Sequence, residues 1–180
     1  MNKPAENNEP ADFEQTVNEI CEKALNDAKA QLHPLLRSTE LNQLKKRSEF
    51  VQAFRFALEH RIARKLALWY PNVQAVYRFD ERRHKPGSPW DGSIHLLVKV
   101  SRLSNTIQAQ GQKFDQSLLK WLQELSWLRF QKRQSILEIQ QVTPREIRQG
   151  ISYGAMFYAV YTPPIKVWPR MDDGTKMPRQ

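Results

Sequence analysis

Apolar side chains recur at the spacing of an amphipathic helix in three stretches of the chain. The first stretch covers residues 12–32 and the second covers residues 39–69. Each is followed by a proline, Pro34 or Pro71, which stops a helix because it lacks the backbone donor. The third stretch covers residues 104–130, and its stripe consists of Ile107, Phe114, Leu118, Trp121, Leu122, Leu125 and Leu128. The pattern predicts three helices.

The period of the apolar positions changes to two in three other segments, which predicts strands over residues 73–79, 93–100 and 136–142. The polar segment 80–92 between the first two contains proline and glycine and is typical of a loop. In the second strand the pattern predicts one face made of Ile94, Leu96, Val98 and Val100 and an opposite face made of His95, Leu97 and Lys99.

A further helix start follows the third strand. Thr143 has the character of a cap, a proline occupies the first helical position, and Glu146 stands at the third. We expect this helix to end near Gly154. Residues 155–161 fit either continued helix or strand, and the four prolines after residue 161 favour an extended or disordered tail.

These elements predict an α+β fold. It has a small mixed β-sheet of about three to four strands, packed by a long amphipathic helix and preceded by two N-terminal helices. For 180 residues we expect one domain with additions. Residues 1–11 are interpreted as a disordered acidic tail, 12–70 as an N-terminal helical arm, 71–161 as the α+β core, and 162–180 as a Pro-rich extended tail.

Composition excludes some classes of protein. A single cysteine, Cys21, allows no intramolecular disulfide and no thiolate metal cage. It lies on the apolar stripe of the first helix, which favours a buried structural thiol. The N-terminus lacks the apolar core of a secretory signal, and no run of about 18 apolar residues predicts a membrane span. These features favour a cytoplasmic protein.

The charge is unevenly distributed along the chain. Residues 1–30 contain three Lys and seven Asp or Glu, so the formal net charge of +9 for the whole chain becomes +13 over residues 31–180. A field of this size attracts polyanions. We therefore expect either nucleic acid, with RNA favoured, or an acidic protein complex as the partner.

Two groups of basic residues are candidates for phosphate contacts. One group lies on the second predicted helix, where Phe50 and Phe54 are interleaved with basic residues. The other lies in the 80–92 loop beside Trp90, whose ring could stack on a base. In the alternative interpretation both phenylalanines are in the core, and Trp90 folds back over a solvated loop. The candidate nucleic-acid-binding residues are Lys45, Lys46, Arg47, Arg61, Arg64, Lys65, Arg82, Arg83, Lys85 and Trp90.

The segments VYRFDERRHKPGSPWDGSIHLLVKV and ILEIQQVTPREIRQGISYGAMFYAV, with a helix between them, resemble the minimal nucleotidyltransferase-like domains of the polymerase-β superfamily over residues 73–160. In that family a strand is followed by Gly-Ser and a polar loop. The next strand carries two metal-binding carboxylates, and a later strand carries a third. The resemblance places Asp80 and Glu81 at the Gly-Ser positions, Ser93 and His95 at the paired carboxylates, and Glu138 at the third acid.

These departures weigh against the family's reaction. Nucleotidyl transfer of this kind needs Mg²⁺ held by oxygen ligands that include carboxylates, and Ser93 and His95 supply none. The resemblance then implies a degenerate domain with no catalytic residues, no bound metal and no cofactor. His95 could act as a general base, although a hydrogen-bonded strand histidine is the more ordinary interpretation.

Three functional hypotheses follow. The first is a non-catalytic basic protein that binds nucleic acid through phosphate contacts on a nucleotidyltransferase-like scaffold. The second is an assembly or interaction factor that docks on an acidic protein complex through the helices at 12–32 and 39–69. The third is a divergent nucleotidyltransferase with altered metal ligands, whose activity would be lost in Glu138→Ala.

Overall fold

The computed structural model describes residues 13–79, 93–125 and 135–169, and its fold is α+β, as predicted. The predicted tail 1–11, the loop 80–92, the segment 126–134 and the residues after 169 lie outside the described residues. The elements in chain order are α1 Phe13–Gln31, a 3₁₀ turn Pro34–Leu36, α2 Leu41–Leu44, α3 Ser48–Trp69, β1 Val73–Arg78, β2 Ile94–Val100, α4 Asn105–Glu124, β3 Leu137–Val142, α5 Pro144–Gln149, a 3₁₀ helix Ser152–Tyr158, and β4 Ile165–Trp168.

The four strands form one mixed sheet in the order β3-β2-β1-β4. β1 is antiparallel to both β2 and β4, whereas β2 and β3 are parallel. β2 is a central strand and is covered on both faces. Its consecutive residues Leu96 and Leu97, which point to opposite faces, are therefore both fully buried. Burial on two faces explains why IHLLVKV is almost continuously apolar. The parallel register places His95 beside Glu138.

Helices α3 and α4 pack on the first face of the sheet, and α1 packs against both of these helices. Ile94, Leu96 and Val98 of β2 share one core cluster with the apolar sides of these helices. The ring of Phe13 in α1 lies 5.9 Å from that of Trp69 in α3 and 5.1 Å from that of Phe114 in α4, centroid to centroid. The described residues of the predicted N-terminal helical arm therefore contribute to the same core as the sheet. None of the described helices combines the length and apolar character needed to cross a membrane.

A smaller cluster lies on the second face of the sheet. Phe79, Leu97 and Val142 are buried there, and the segment 144–158 covers them with the side chains of Ile147, Tyr153, Met156 and Phe157. The predicted start of α5 is confirmed as a capping box. The hydroxyl of Thr143 accepts from the N–H of Glu146, and the Glu146 carboxylate accepts from the N–H of Thr143.

The prediction of one continuous helix over residues 39–69 was wrong. The helix is broken between Leu44 and Ser48, and Arg47 has an extended backbone. Residues 45–49 are all polar, so no apolar side chain holds a continuous helix against the core at this point. Lys45 instead donates from Nζ to the carbonyl oxygen of Leu125, 2.5 Å away.

Two predictions for the C-terminal part also need correction. α5 ends at Gln149, not near Gly154, because Gly150 takes the left-handed conformation (φ 63°, ψ 33°) that terminates helices. The chain after residue 161 was predicted to be an extended or disordered tail. It contributes β4, which pairs with β1 through Val76, Tyr77 and Arg78.

Candidate functional site

Of the positions that the resemblance assigns to metal ligands, His95 and Glu138 lie side by side on the neighbouring strands β2 and β3. Nδ1 of His95 lies 3.1 Å from Oε2 of Glu138 on the neighbouring parallel strand, but the two atoms lack the alignment of a hydrogen bond. Gln140 donates from Nε2 to the other carboxylate oxygen of Glu138 at 2.6 Å. The ring of Phe79 lies 5.3 Å from that of His95. The carboxylate of Glu138 is thus already engaged by an imidazole and an amide.

Ser93 makes structural contacts. Its hydroxyl donates to the carbonyl oxygen of Ser135 at 3.3 Å, and its own carbonyl oxygen accepts from Nη2 of Arg55 at 2.9 Å. Arg55 also pairs with Glu59 at 3.2 Å, and Glu59 lies 3.6 Å from Arg78. The side chain of Glu59 is almost completely buried, so these two arginines compensate a buried charge.

The geometry offers no metal site within the part of the chain that the structure describes. Over residues 13–79, 93–125 and 135–169, no three His, Cys, Asp or Glu side chains are grouped so that they could hold a metal ion. Asp80 and Glu81 lie outside these ranges. Among the described family positions, His95 and Glu138 are brought together, and Ser93 lies at the preceding turn of the chain.

The basic residues predicted on the second helix do not form one surface. Lys45 is bonded to Leu125, and Arg61 pairs with Asp27 of α1 through two nitrogens at 2.6 and 2.8 Å. Phe50 and Phe54 are fully buried, which confirms the core interpretation of these two residues. Of the others, Arg47 lies 3.6 Å from Glu49, and Nζ of Lys65 lies 6.0 Å from the centroid of Trp69.

Two of the predicted cations remain exposed without an ion pair among the described residues, namely Lys46 and Arg64. They are separated by eighteen positions in sequence, because Lys46 lies in the break before α3 and Arg64 lies in the C-terminal half of that helix. The predicted loop residues Arg82, Arg83, Lys85 and Trp90 lie outside the described residues.

A surface that the sequence interpretation missed is formed by residues 151–165. Five of its large apolar side chains are exposed, most of all Tyr161 at 90% and Val160 at 85%, whereas three others pack on the smaller cluster of the second face. The same stretch lies in a segment, residues 147–171, that contains no Asp or Glu. The combination of tyrosines and absent acids was a readable signal in the sequence. The exposed side chains of this surface, hereafter the tyrosine surface, are Ile151, Tyr158, Val160, Tyr161 and Ile165.

Cations accompany aromatic rings on the second face of the sheet. Nζ of Lys166 in β4 lies 6.0 Å from the ring centroid of Tyr77, and that ring makes an edge contact with Phe157 at 4.9 Å. Burial raises the pKa of the Tyr77 hydroxyl above its ordinary value. Lys99 pairs in register with Val142, a member of the cluster on the second face.

A cleft of about 290 Å³ lies between α4 and β3. Gln108, Gln112 and Gln116 line it at successive turns of α4, together with Glu138. Asp115 also lines the cleft, but its Oδ1 accepts from the backbone N–H groups of Ile136 and Leu137, both at 2.7 Å. This carboxylate therefore organises the start of β3.

No family model, no curated protein and no solved structure matches the chain. Its function must be inferred from the chemistry of its own residues.

Proposed function

We propose that the chain is a non-catalytic protein that binds nucleic acid, with RNA favoured, through contacts to the phosphate backbone. The observation that carries this proposal is the imbalance between free cations and free acids on the described surface. The exposed cations that make no ion pair with any described residue are Arg37, Lys46, Arg64, Arg102, Lys113, Arg145, Arg148 and Lys166.

Most acids of the described part are occupied within the fold. Asp27 pairs with Arg61, Glu59 with Arg55, and Glu14 with Lys120. Asp115 and Glu146 accept backbone hydrogen bonds. A surface of this kind presents positive charge that intramolecular partners do not neutralise, and a polyanion would release its counterions on binding there.

Arg145 and Arg148 supply the sharpest test because both are exposed on the short helix α5. We expect the double variant Arg145→Glu/Arg148→Glu to bind mixed-sequence single-stranded RNA at least tenfold more weakly than the wild type. Fluorescence anisotropy over salt concentrations from about 50 to 200 mM should show a steep loss of affinity, with a slope of about −0.7 per phosphate contact in the logarithmic plot.

Lys23→Glu is the matched control, because Lys23 is an exposed cation that already pairs with Glu19 on α1. Its affinity should stay within about twofold of the wild type. Absence of RNA binding by the wild type at low salt, or binding that does not depend on salt, would refute the proposal.

The sequence-based prediction for the loop has its own test. Replacing Arg82, Arg83 and Lys85 together by glutamate should weaken binding further if this basic cluster contacts phosphates. Unchanged affinity would show that the loop is not part of the interface, and the cations of the described surface would then make the phosphate contacts.

A protein partner is the second candidate, and exposed aliphatic side chains favour it. Val160, Ile151 and Ile165 are open to solvent, and such side chains are common at protein interfaces. The apolar sides of α1 and α3 are in the core, so docking through these helices would use only their solvent faces. Co-purification that survives nuclease treatment would favour this function.

A further inference from the structure

We propose that the tyrosine surface is a stacking site for the bases of single-stranded nucleic acid, an inference that rests on the proposed function. Its two rings, Tyr158 and Tyr161, are 62% and 90% exposed. A tyrosine ring that is open to solvent offers a flat face on which any base can stack, whatever its identity.

The described structure supports one of the two rings closely. A Cβ atom placed on Gly150 would lie 3.6 Å from a ring carbon of Tyr158, so this ring lies over the end of α5. The preceding residues Tyr153, Met156 and Phe157 pack on the second-face cluster and fix the 3₁₀ helix that carries Tyr158. The ring is therefore presented from a packed support, which lowers the ordering cost of binding.

Tyr161 lies within reach of the same strand of nucleic acid. Tyr161 follows Tyr158 by three positions, so the two Cα atoms are at most about 10 Å apart. Four residues later, Ile165 pairs with Arg78 in the sheet and anchors the other end of this segment. One short oligonucleotide can therefore contact both rings.

Charge complementarity selects nucleic acid as the occupant. No acid occurs over residues 147–171, and the nearest preceding acid, Glu146, accepts hydrogen bonds from the N–H and the hydroxyl of Thr143, both at 2.8 Å. Arg148 in the last turn of α5 and Lys166 in β4 lie on either side of the surface in sequence, and both are exposed. Within residues 147–169 of the described chain, phosphates would meet cations and no carboxylate.

The same chemistry favours single strands over duplexes. The bases of a duplex are stacked on one another and are not open to an aromatic side chain, whereas those of a single strand are. A duplex would then use only the cations of the protein. The surface thus predicts that loss of the rings affects single strands selectively.

The test compares two labelled RNA probes on the full chain, a single-stranded oligouridylate and a mixed-sequence duplex of the same length. In Tyr158→Ala/Tyr161→Ala we expect the affinity for the single strand to fall about tenfold to hundredfold. The affinity for the duplex should stay within about twofold. The salt slope of single-strand binding should also persist, since no charge is removed.

Two control variants separate stacking from folding defects. Tyr158→Phe/Tyr161→Phe keeps both rings and should retain the affinity of the wild type. Leu35→Ala removes an equally exposed apolar side chain elsewhere, since Leu35 is 80% exposed, and should leave both affinities unchanged.

The outcomes distinguish this proposal from the proposed function. Retained single-strand affinity in the double alanine variant, or equal losses for both probes, would overturn the stacking site and leave the basic protein as a nucleic-acid binder. If the wild type bound neither probe at low salt, both proposals would fail. A nuclease-resistant protein complex that Tyr161→Ala abolishes would assign the surface to a protein and overturn the stacking site.

Discussion

Gly154 is the residue that the packing of α5 constrains most tightly. A Cβ atom at this position would lie 2.2 Å from the carbonyl oxygen of Glu146 and 2.7 Å from the backbone nitrogen of Ile147. Both are backbone atoms and cannot move aside as a flexible side chain could. We expect Gly154→Ala to lower the free energy of unfolding by about 2–3 kcal/mol, measured by urea denaturation.

Gly150→Ala is the matched control for this prediction. Gly150 needs a positive φ, but the nearest atoms to its Cβ position belong to the ring of Tyr158 at 3.6 Å, which is an ordinary contact. Gly150→Ala should therefore lower the free energy of unfolding by about 1–2 kcal/mol, through backbone conformation alone. If Gly154→Ala were as stable as the wild type, the close approach of the 3₁₀ helix to α5 would be wrong.

Cys21 gives the stability of the fold a dependence on alkaline pH. Its side chain is fully buried, and burial followed by the charge of Glu22 raises the pKa of the thiol from 9.0 to about 12. The native state therefore keeps the thiol protonated, whereas the unfolded state releases the proton above its ordinary pKa. The contribution of the buried thiol to the free energy of unfolding is complete below pH 9 and is lost as the pH rises from 9 towards 12.

The measurement is the difference in the free energy of unfolding between the wild type and Cys21→Ala. The wild type should be the more stable at pH 8, and its advantage should shrink above pH 9 by on the order of 1 kcal/mol per pH unit. Comparing two variants at each pH cancels the titration of the other groups. A difference that stayed constant up to pH 11 would contradict the burial of the thiol.

At the scale of elements, the sequence predicted the helices and strands whose apolar positions repeat regularly. It did not predict features that involve contacts between residues remote in sequence. The stripe of α4 as far as Leu125 and the two-sided pattern of β2 were confirmed, because core-facing side chains must repeat with the helix or strand. Leu128 lies outside the described residues. The break before Ser48 and the strand β4 were missed. The break coincides with the all-polar residues 45–49 and with the hydrogen bond from Lys45 to the remote Leu125, whereas β4 depends on pairing with an edge of β1 that is remote in sequence.

β4 should stabilise the sheet although it begins just after Pro163 and Pro164. Val167 and Trp168 are half-buried against the main core, and the strand covers the edge of β1 that β2 leaves open. A chain ending at Tyr161 should lose about 3 kcal/mol of unfolding free energy relative to a chain ending at Pro169, from lost apolar burial and strand hydrogen bonds.

Chemical denaturation followed by circular dichroism measures this difference. The chain that ends at Pro169 is itself the control, because it removes the residues outside the described range and keeps β4. Equal stability of the two truncated chains would show that β4 adds nothing to the sheet.

For the molecule as a whole, the sequence located some site residues but not their grouping. The pairing of His95 with Glu138 follows from a parallel register that the pattern alone does not fix. The basic residues on the second predicted helix were grouped by helical spacing, which omits neighbouring elements. Arg61 joins α3 to α1, and Lys45, just after α2, joins the break before α3 to the end of α4, so these charges stabilise the fold.

The shared core also makes a prediction about cooperativity. Ile20 of α1 is 3% exposed and belongs to the same cluster as Leu96 of the central strand β2. Glu14 of α1 pairs with Lys120 of α4, so the first helix is joined to both of the helices that pack on the sheet. We expect Ile20→Ala to cost about 3 kcal/mol and to destabilise helices and sheet together.

Two probes test this in one urea titration, the helical signal in the far ultraviolet and tryptophan fluorescence, which reports on Trp69, Trp121 and Trp168 among others. Their midpoints should coincide in the wild type and shift by the same amount in Ile20→Ala, as in a two-state transition. Lys29→Ala, an α1 variant outside the core, should shift neither midpoint by more than a small amount. If the helical signal were lost at a lower urea concentration than the fluorescence signal, α1 and α3 would unfold independently of the sheet, because only a shared core forces one transition.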